Sequence, residues 1–131
     1  MKVKTSELQG AALDWAVEYA LLSRVANLEM RYSVASMHQR TTGVGYSTNW
    51  AISGPVIERE KISVGYERFG SPGGEMWDAV KKVSGDAGYR LEFGSTPLEA
   101  AMRVYVASKL GNEVDVPDEL TQLGETLYAN D

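Results

Sequence analysis

Two helical periodicities frame this chain. Leu8, Ala12, Trp15, Ala16 and Tyr19 recur at the spacing of one helix face, and Ser6 with Gln9 forms a capping-box pair that predicts a helix starting at Thr5 or Ser6. Gly10 lies off that stripe and is read as tolerated, at a cost of about 1 kcal/mol relative to Ala. The second helix is the better defined. Thr96-Pro97-Leu98-Glu99 supplies an N-cap hydroxyl, a proline at the first helical position and an acid in the first turn. Leu98, Ala101, Met102, Tyr105 and Leu110 form its apolar stripe, Lys109 complements the dipole, and Gly111 stops it.

Between these helices the period shortens to two. Ile62 to Tyr66 alternates like a half-buried strand. Val56-Ile57-Glu58-Arg59 is read as a preceding strand that makes a hairpin or one bent strand around Glu60-Lys61. Met76 to Val83 suits either a short helix or a strand, and the alternation of Trp77-Asp78-Ala79 favours the strand. Tyr89-Arg90-Leu91-Glu92-Phe93 puts three apolar residues on one strand face and two charges on the other. Turns are expected at 70–74 and 84–88. Residues 23–45 are ambivalent: 25–30 suit a helix, 31–34 a strand and 39–45 a loop. The expected fold class is α+β, a small antiparallel sheet with two main helices packed on it.

Composition narrows the function classes. The 131 residues suit one domain, expected over 1–113, and the absence of cysteine excludes disulfides and thiolate chemistry. The formal charge of −5 resides in 114–131, where Asp115, Asp118, Glu119, Glu125 and Asp131 meet no base. Residues 114–131 are therefore expected to form an acidic, partly mobile C-terminal tail on a neutral body. Such a body lacks the basic footprint of phosphate-backbone binding, so direct DNA binding is not expected. No run approaches the ~18 apolar residues of a membrane span, and the acidic positions after Met1-Lys2-Val3-Lys4 do not resemble a signal peptide.

No catalytic set emerges, so the expectation is a protein that is not an enzyme and needs no metal or cofactor. His38 is the only histidine and is read as an incidental surface residue. Gly43-Val44-Gly45 lacks the third glycine of a dinucleotide fingerprint. Glu58 and Glu60 are read as a solvated strand face with Arg59 and Lys61, and Asp14 beside Trp15 as either helix surface or a pocket rim.

The stretch Tyr46-Ser47-Thr48-Asn49-Trp50 carries the most chemistry. Two readings stay open for it. Its aromatics plug the core while Asn and Ser make turn hydrogen bonds, or one aromatic stacks on a flat ligand whose edges Ser47 and Asn49 read. In the second reading Arg59 or Arg103, with the helix start at Thr96, holds an anionic group.

Three segments resemble the phage NinX-like family: residues 1–8 with Leu13-Asp14-Trp15-Ala16-Val17; Tyr46 to Trp50 with Gly54 to Glu60; and Thr96 to Arg103 through Val106 to Gly111. Asn49 and Ser53 depart from it, standing where the family pattern has Asp and Gly, and the first departure removes a charge. The resemblance implies a phage-encoded accessory protein acting in the bacterial host cytoplasm. Together with the residues above, it gives the expectation of a homo-oligomeric, non-enzymatic binder that sequesters a small nucleotide-derived host defence signalling molecule. Its expected ligand residues are Tyr46, Ser47, Asn49, Trp50, Arg59, Thr96 and Arg103. The alternative is a protein that inhibits a host enzyme through an apolar surface or its acidic tail.

Overall fold

The computed structural model describes residues 1–68, 74–83 and 88–121. The fold is α+β. A short strand β1 (Lys2–Lys4) is followed by α1 (Gly10–Leu21), α2 (Leu28–Thr41) and α3 (Trp50–Glu60). Strands β2 (Ser63–Arg68), β3 (Glu75–Lys82) and β4 (Tyr89–Gly94) then form an antiparallel sheet in the order β2-β3-β4. Helix α4 (Pro97–Leu110) lies across that sheet, and β5 (Glu113–Asp115) returns to pair antiparallel with β1.

Helix α4 is the centre of the molecule. Thr96 caps it by accepting from the Glu99 amide at 3.0 Å, as the sequence predicts. Its buried surface is wider than one stripe, because Ala100, Val104 and Val106 are buried beside Leu98, Ala101, Met102 and Tyr105. The sheet covers one side and α1 another, with Leu13, Trp15, Ala16 and Val17 in the same core. Burying a side chain of Leu or Val size contributes about 1.5–3 kcal/mol, so this helix, covered by the sheet and by α1, supplies much of the stability.

The first helix begins later than its capping pattern predicts. The Thr5 hydroxyl donates to the Gly111 carbonyl at 2.6 Å and is not available as a cap, and Thr5–Glu7 form a single 3-10 turn. Helix α1 starts at Gly10, whose φ of +55° favours a residue without a Cβ. Residues 28–41 are helical throughout, including the part read as strand-like, because Asn27 accepts the Met30 amide at 3.0 Å and starts α2.

The largest correction falls on 50–60. This segment is helical, not a loop followed by a strand, and Gly54-Pro55 lies inside it. Asn49 is the N-cap, and Ser53 and Val56 turn inward three residues apart. Lys61, at φ +54°, closes the helix in the left-handed region while the Ile62 amide reaches back to the Ile57 carbonyl at 3.0 Å. Glu58 and Glu60 therefore do not share a strand face. Glu60 is instead an ion-pair hub, 3.1 Å from Arg59 Nε, 3.6 Å from Lys81 Nζ and 3.5 Å from Lys109 Nζ.

The strands at 62–66, 76–83 and 89–93 form where the alternation places them. In β4, however, the charged face is the one turned toward α4. Arg90 donates to the Ala107 carbonyl and to Asn112 Oδ1, and Gly94 allows the α4 backbone to approach so closely that a Cβ there would sit 2.5 Å from the Ala100 nitrogen. Tyr89 and Leu91 consequently stand 70% and 53% exposed on the open side.

Residues 114–121 are not a tail. Val114 and Val116 are buried, the Val116 amide donates to the Met1 carbonyl at 2.9 Å, and the Met1 ammonium lies 2.9 Å from Asp115 and 2.8 Å from Asp118. The expected boundary after residue 113 thus falls inside the packed body. Residues 122–131 lie outside the described residues, as do most of both expected glycine turns.

Candidate functional site

The stretch from Tyr46 to Trp50 is held by acids of α1. The Tyr46 hydroxyl donates to Glu18 Oε2 at 2.6 Å, the Ser47 amide donates to Asp14 Oδ1 at 2.8 Å, and the Ser53 hydroxyl donates to the Tyr46 carbonyl. His38 Nδ1 meets the other Glu18 oxygen, so the single histidine is not the partnerless surface residue that the sequence suggests. Asp14 and Glu18 are buried, which a lone helical stripe does not reveal. Burial pushes the Asp14 carboxyl above its usual range, with the Ser47 hydrogen bonds opposing. Burial, the Glu18 hydrogen bond and the Glu18 charge all push the Tyr46 hydroxyl upward.

This geometry gives each expected ligand residue a definite position. Tyr46 and Ser47 face inward to the α1 acids, and Asn49 accepts the Ala51 amide at 2.9 Å as the α3 cap. Trp50 opens α3 and is 55% exposed. Arg59 sits on Glu60 at the other end of that helix.

The Thr96 and Arg103 pair is engaged internally. Arg103 Nε donates to the Leu8 carbonyl at 2.7 Å and Nη1 to the Phe93 carbonyl at 2.8 Å, with Glu99 at 3.3 Å. Glu99 also accepts the Ser95 amide at 2.9 Å, which places a carboxylate over the start of α4. A negative charge already occupies that helix terminus, so an incoming anion would meet repulsion there. Thr96 and Arg103, where the sequence reading expected an anionic group, thus already have partners within the fold. Arg103 joins the chain before α1 to the end of β4, and among the described residues no hydrogen bond or ion pair connects this group to Asn49 or Trp50.

Two clefts offer different chemistry. One, about 940 Å³, opens beside the start of α1 and is lined by Lys2, Val3, Lys4, Leu8, Gln9 and Gly10 together with three acids, Glu7, Glu99 and Glu113. No side chain caps α1 and no acid lies in its first turn. Its leading amides thus keep their donors and the positive end of the dipole. The second cleft, about 530 Å³, lies between α1, α2 and β5 and is lined by Trp15, Tyr19, Leu28, Tyr32 and Leu110, with Glu29, Glu113 and Asp115. Trp15 stacks on Tyr19 at 5.2 Å and meets Tyr32 edge-on at 5.0 Å, while the Arg31 guanidinium lies 4.1 Å from the centre of the Tyr19 ring. The aromatic side chains and the two lysines therefore line separate clefts.

The sequence reading missed Lys2, Lys4 and Gln9 as candidate site residues. The available signal was the acid-free first turn Gly10-Ala11-Ala12, which becomes visible only once the helix is started at Gly10.

The chain is a small α+β domain built round one central helix, α4. No helix among the described residues is long and apolar enough to cross a membrane. The family profile described as "Bacteriophage P22, NinX" matches residues 4–109, and the chain belongs to that family. It is thus a phage accessory protein. No curated protein matches the chain.

Proposed function

We propose that the protein acts by binding a small anionic molecule of the nucleotide-derived kind and holding it unchanged, within the cytoplasm of the infected host. The observation that supports this most is the start of α1, which has no side-chain cap and no acid in its first turn and opens with Lys2 and Lys4 onto the cleft of about 940 Å³, where Glu7, Glu99 and Glu113 also line the wall. Amides at a helix terminus beside lysines suit a phosphate, and Val3, Leu8 and Ala12 offer an apolar wall for the rest of the ligand. The reading keeps the helix terminus and cations expected from the sequence and moves them from Thr96 and Arg103 to Gly10, Lys2 and Lys4.

Equilibrium dialysis of the full chain against linear and cyclic nucleotides tests it. The ligand should be retained, should be recovered intact after heat denaturation, and should bind at least about tenfold more weakly to the Lys2→Glu/Lys4→Glu variant, as loss of two charge-assisted contacts implies. A chemically altered nucleotide would instead identify an enzyme.

A second reading, inhibition of a host protein, is favoured by the exposed apolar side chains of α2. Met30 and Met37, seven residues apart on one face, are both exposed. Substituting both by Glu separates the readings, since it abolishes partner capture while leaving nucleotide retention intact.

A further inference from the structure

The cleft between α1, α2 and β5 differs in chemistry from the one at Gly10. Its buried side is apolar, formed by Trp15, Leu110 and Val114. Tyr19 is already engaged, stacked on Trp15 at 5.2 Å with the Arg31 guanidinium 4.1 Å from its ring centre. Tyr32 meets Trp15 edge-on but remains 38% exposed, and Leu28, one turn earlier on α2, is 64% exposed. These two side chains offer a ligand apolar surface at the mouth of the cleft.

Every charged group that lines it is an acid. Glu29 stands on the α2 side and Glu113 and Asp115 on the β5 side, and among the described residues no base lines the cleft. Asp115 is answered by the Met1 ammonium at 2.9 Å. Lys2 and Lys4 stand opposite Asp115 and Glu113 in the β1–β5 register without pairing with them, and Arg31 donates to the Tyr19 carbonyl. None of the ion pairs among the described residues includes Glu29 or Glu113. The Tyr32 hydroxyl registers this field: burial pushes it above its ordinary range, and the charges of Asp115, Glu119 and Asp118 push it further. An anion is repelled here, and an uncharged apolar molecule gains nothing from the two carboxylates.

We propose that this cleft binds a small alkyl diamine in its doubly charged form, with the methylene chain against Tyr32 and Leu28 and one ammonium group at each of Glu29 and Glu113. The cleft, about 530 Å³, falls within the roughly 300–1,000 Å³ of small-molecule sites. An alkylammonium lays its stem along apolar surface while its head stays at the wet rim, and an aromatic ring attracts the cation electrostatically. The two carboxylates stand on different walls with apolar surface between them, so the ligand must present charge at both ends. A diamine does so, whereas an arginine side chain carries its charge at one end only. The site goes beyond the anion-binding reading, and of its lining residues only Glu113 also lines the Gly10 cleft.

Isothermal titration calorimetry of the full chain with diaminobutane, diaminohexane, butylamine and acetylarginine amide tests the proposal. One of the diamines should bind at least about tenfold more tightly than butylamine, and added salt should weaken it. Glu29→Gln, at an exposed helix position, and Tyr32→Ala should each weaken the diamine about tenfold, whereas Tyr32→Phe should keep it, because the ring and not the hydroxyl makes the contact. Glu29→Gln should leave nucleotide retention unchanged. The Lys2→Glu/Lys4→Glu variant, which disables the Gly10 cleft, should bind the diamine no more weakly than the wild-type chain, so the two sites fail separately. Absence of diamine binding, equal affinity for diamines and butylamine, or indifference to both Glu29→Gln and Tyr32→Ala would each overturn the assignment. So would tighter binding of acetylarginine amide, which would give the cleft to a basic side chain of a partner protein.

Discussion

The Tyr46 hydroxyl donates to Glu18 at 2.6 Å across 28 positions of sequence, fixing the chain before α3 to the buried side of α1. The same carboxylate meets His38 from α2. Three segments thus converge on one acid that water barely reaches. Tyr46→Phe removes the donor while keeping the ring, and a buried acceptor left short of a partner costs about 1–3 kcal/mol. Urea denaturation should show that loss as a lower midpoint at unchanged slope; an unshifted midpoint would mean that water replaces the hydroxyl without penalty.

Arg103 bridges two backbone carbonyls that are distant in sequence, from Leu8 and Phe93, with its side chain only 12% exposed. Arg103→Ala should destabilise the fold by about 2–4 kcal/mol, since both acceptors lose a charge-assisted donor. Arg103→Lys should recover less than half, because an ammonium cannot reproduce the planar fork. Thermal unfolding of the three proteins checks the order. If Arg103 served an anion instead, stability would hold and ligand affinity alone would fall.

Asn49 and Trp50 are neighbours with opposite consequences. Asn49→Ala removes the α3 cap and should cost about 1 kcal/mol, whereas Trp50→Ala, at a mostly exposed position, should change stability by no more than about 0.5 kcal/mol. Chemical denaturation of the pair distinguishes them, and equal losses would place Trp50 in a packing role that its exposure denies.

Glu60 gives the fold an acid-sensitive joint. Burial alone would raise its carboxyl, but the hydrogen bond from Arg59 and the charges of Lys109, Lys81 and Arg59 outweigh it and hold the group below the usual carboxylate range. Folding therefore favours the ionised form. The resulting stability is complete above the unfolded-state pKa and is lost as pH falls through the lowered folded value. In Glu60→Gln the melting temperature should fall at neutral pH and the acid limb of its pH profile should flatten. A parallel profile at every pH would show that the three cations contribute nothing to folding.

How much of this was legible depends on whether the signal was local. The α4 start reads directly from Thr96-Pro97-Leu98-Glu99 because all its donors and acceptors lie within one turn. The strand alternation at β2, β3 and β4 is equally local, and it gives the sheet its two faces. The helix at 50–60 was hidden because Gly54-Pro55 resembles a turn and Glu58-Arg59-Glu60-Lys61 resembles a strand surface. The Asn49 cap, the inward Ser53 and Val56, and the reach of Glu60 to Lys81 and Lys109 decide otherwise.

The sequence by itself determined the α+β class, the three strands of the larger sheet and the central helix, since these rest on period and capping, and it carried the family in the three segments that resemble it. Only the tertiary structure decided which face of β4 is covered, because two charged residues turn inward when Ala107, Asn112 and Arg103 wait to receive them. It also decided which helix start is left without a side-chain cap. Glu99 closes the one with the better sequence signature, while α1, without a cap of its own, begins at Gly10 beside Lys2 and Lys4. A hydrogen bond or ion pair between segments far apart in the chain leaves no trace in local pattern, and those contacts fix where this protein's free chemistry lies.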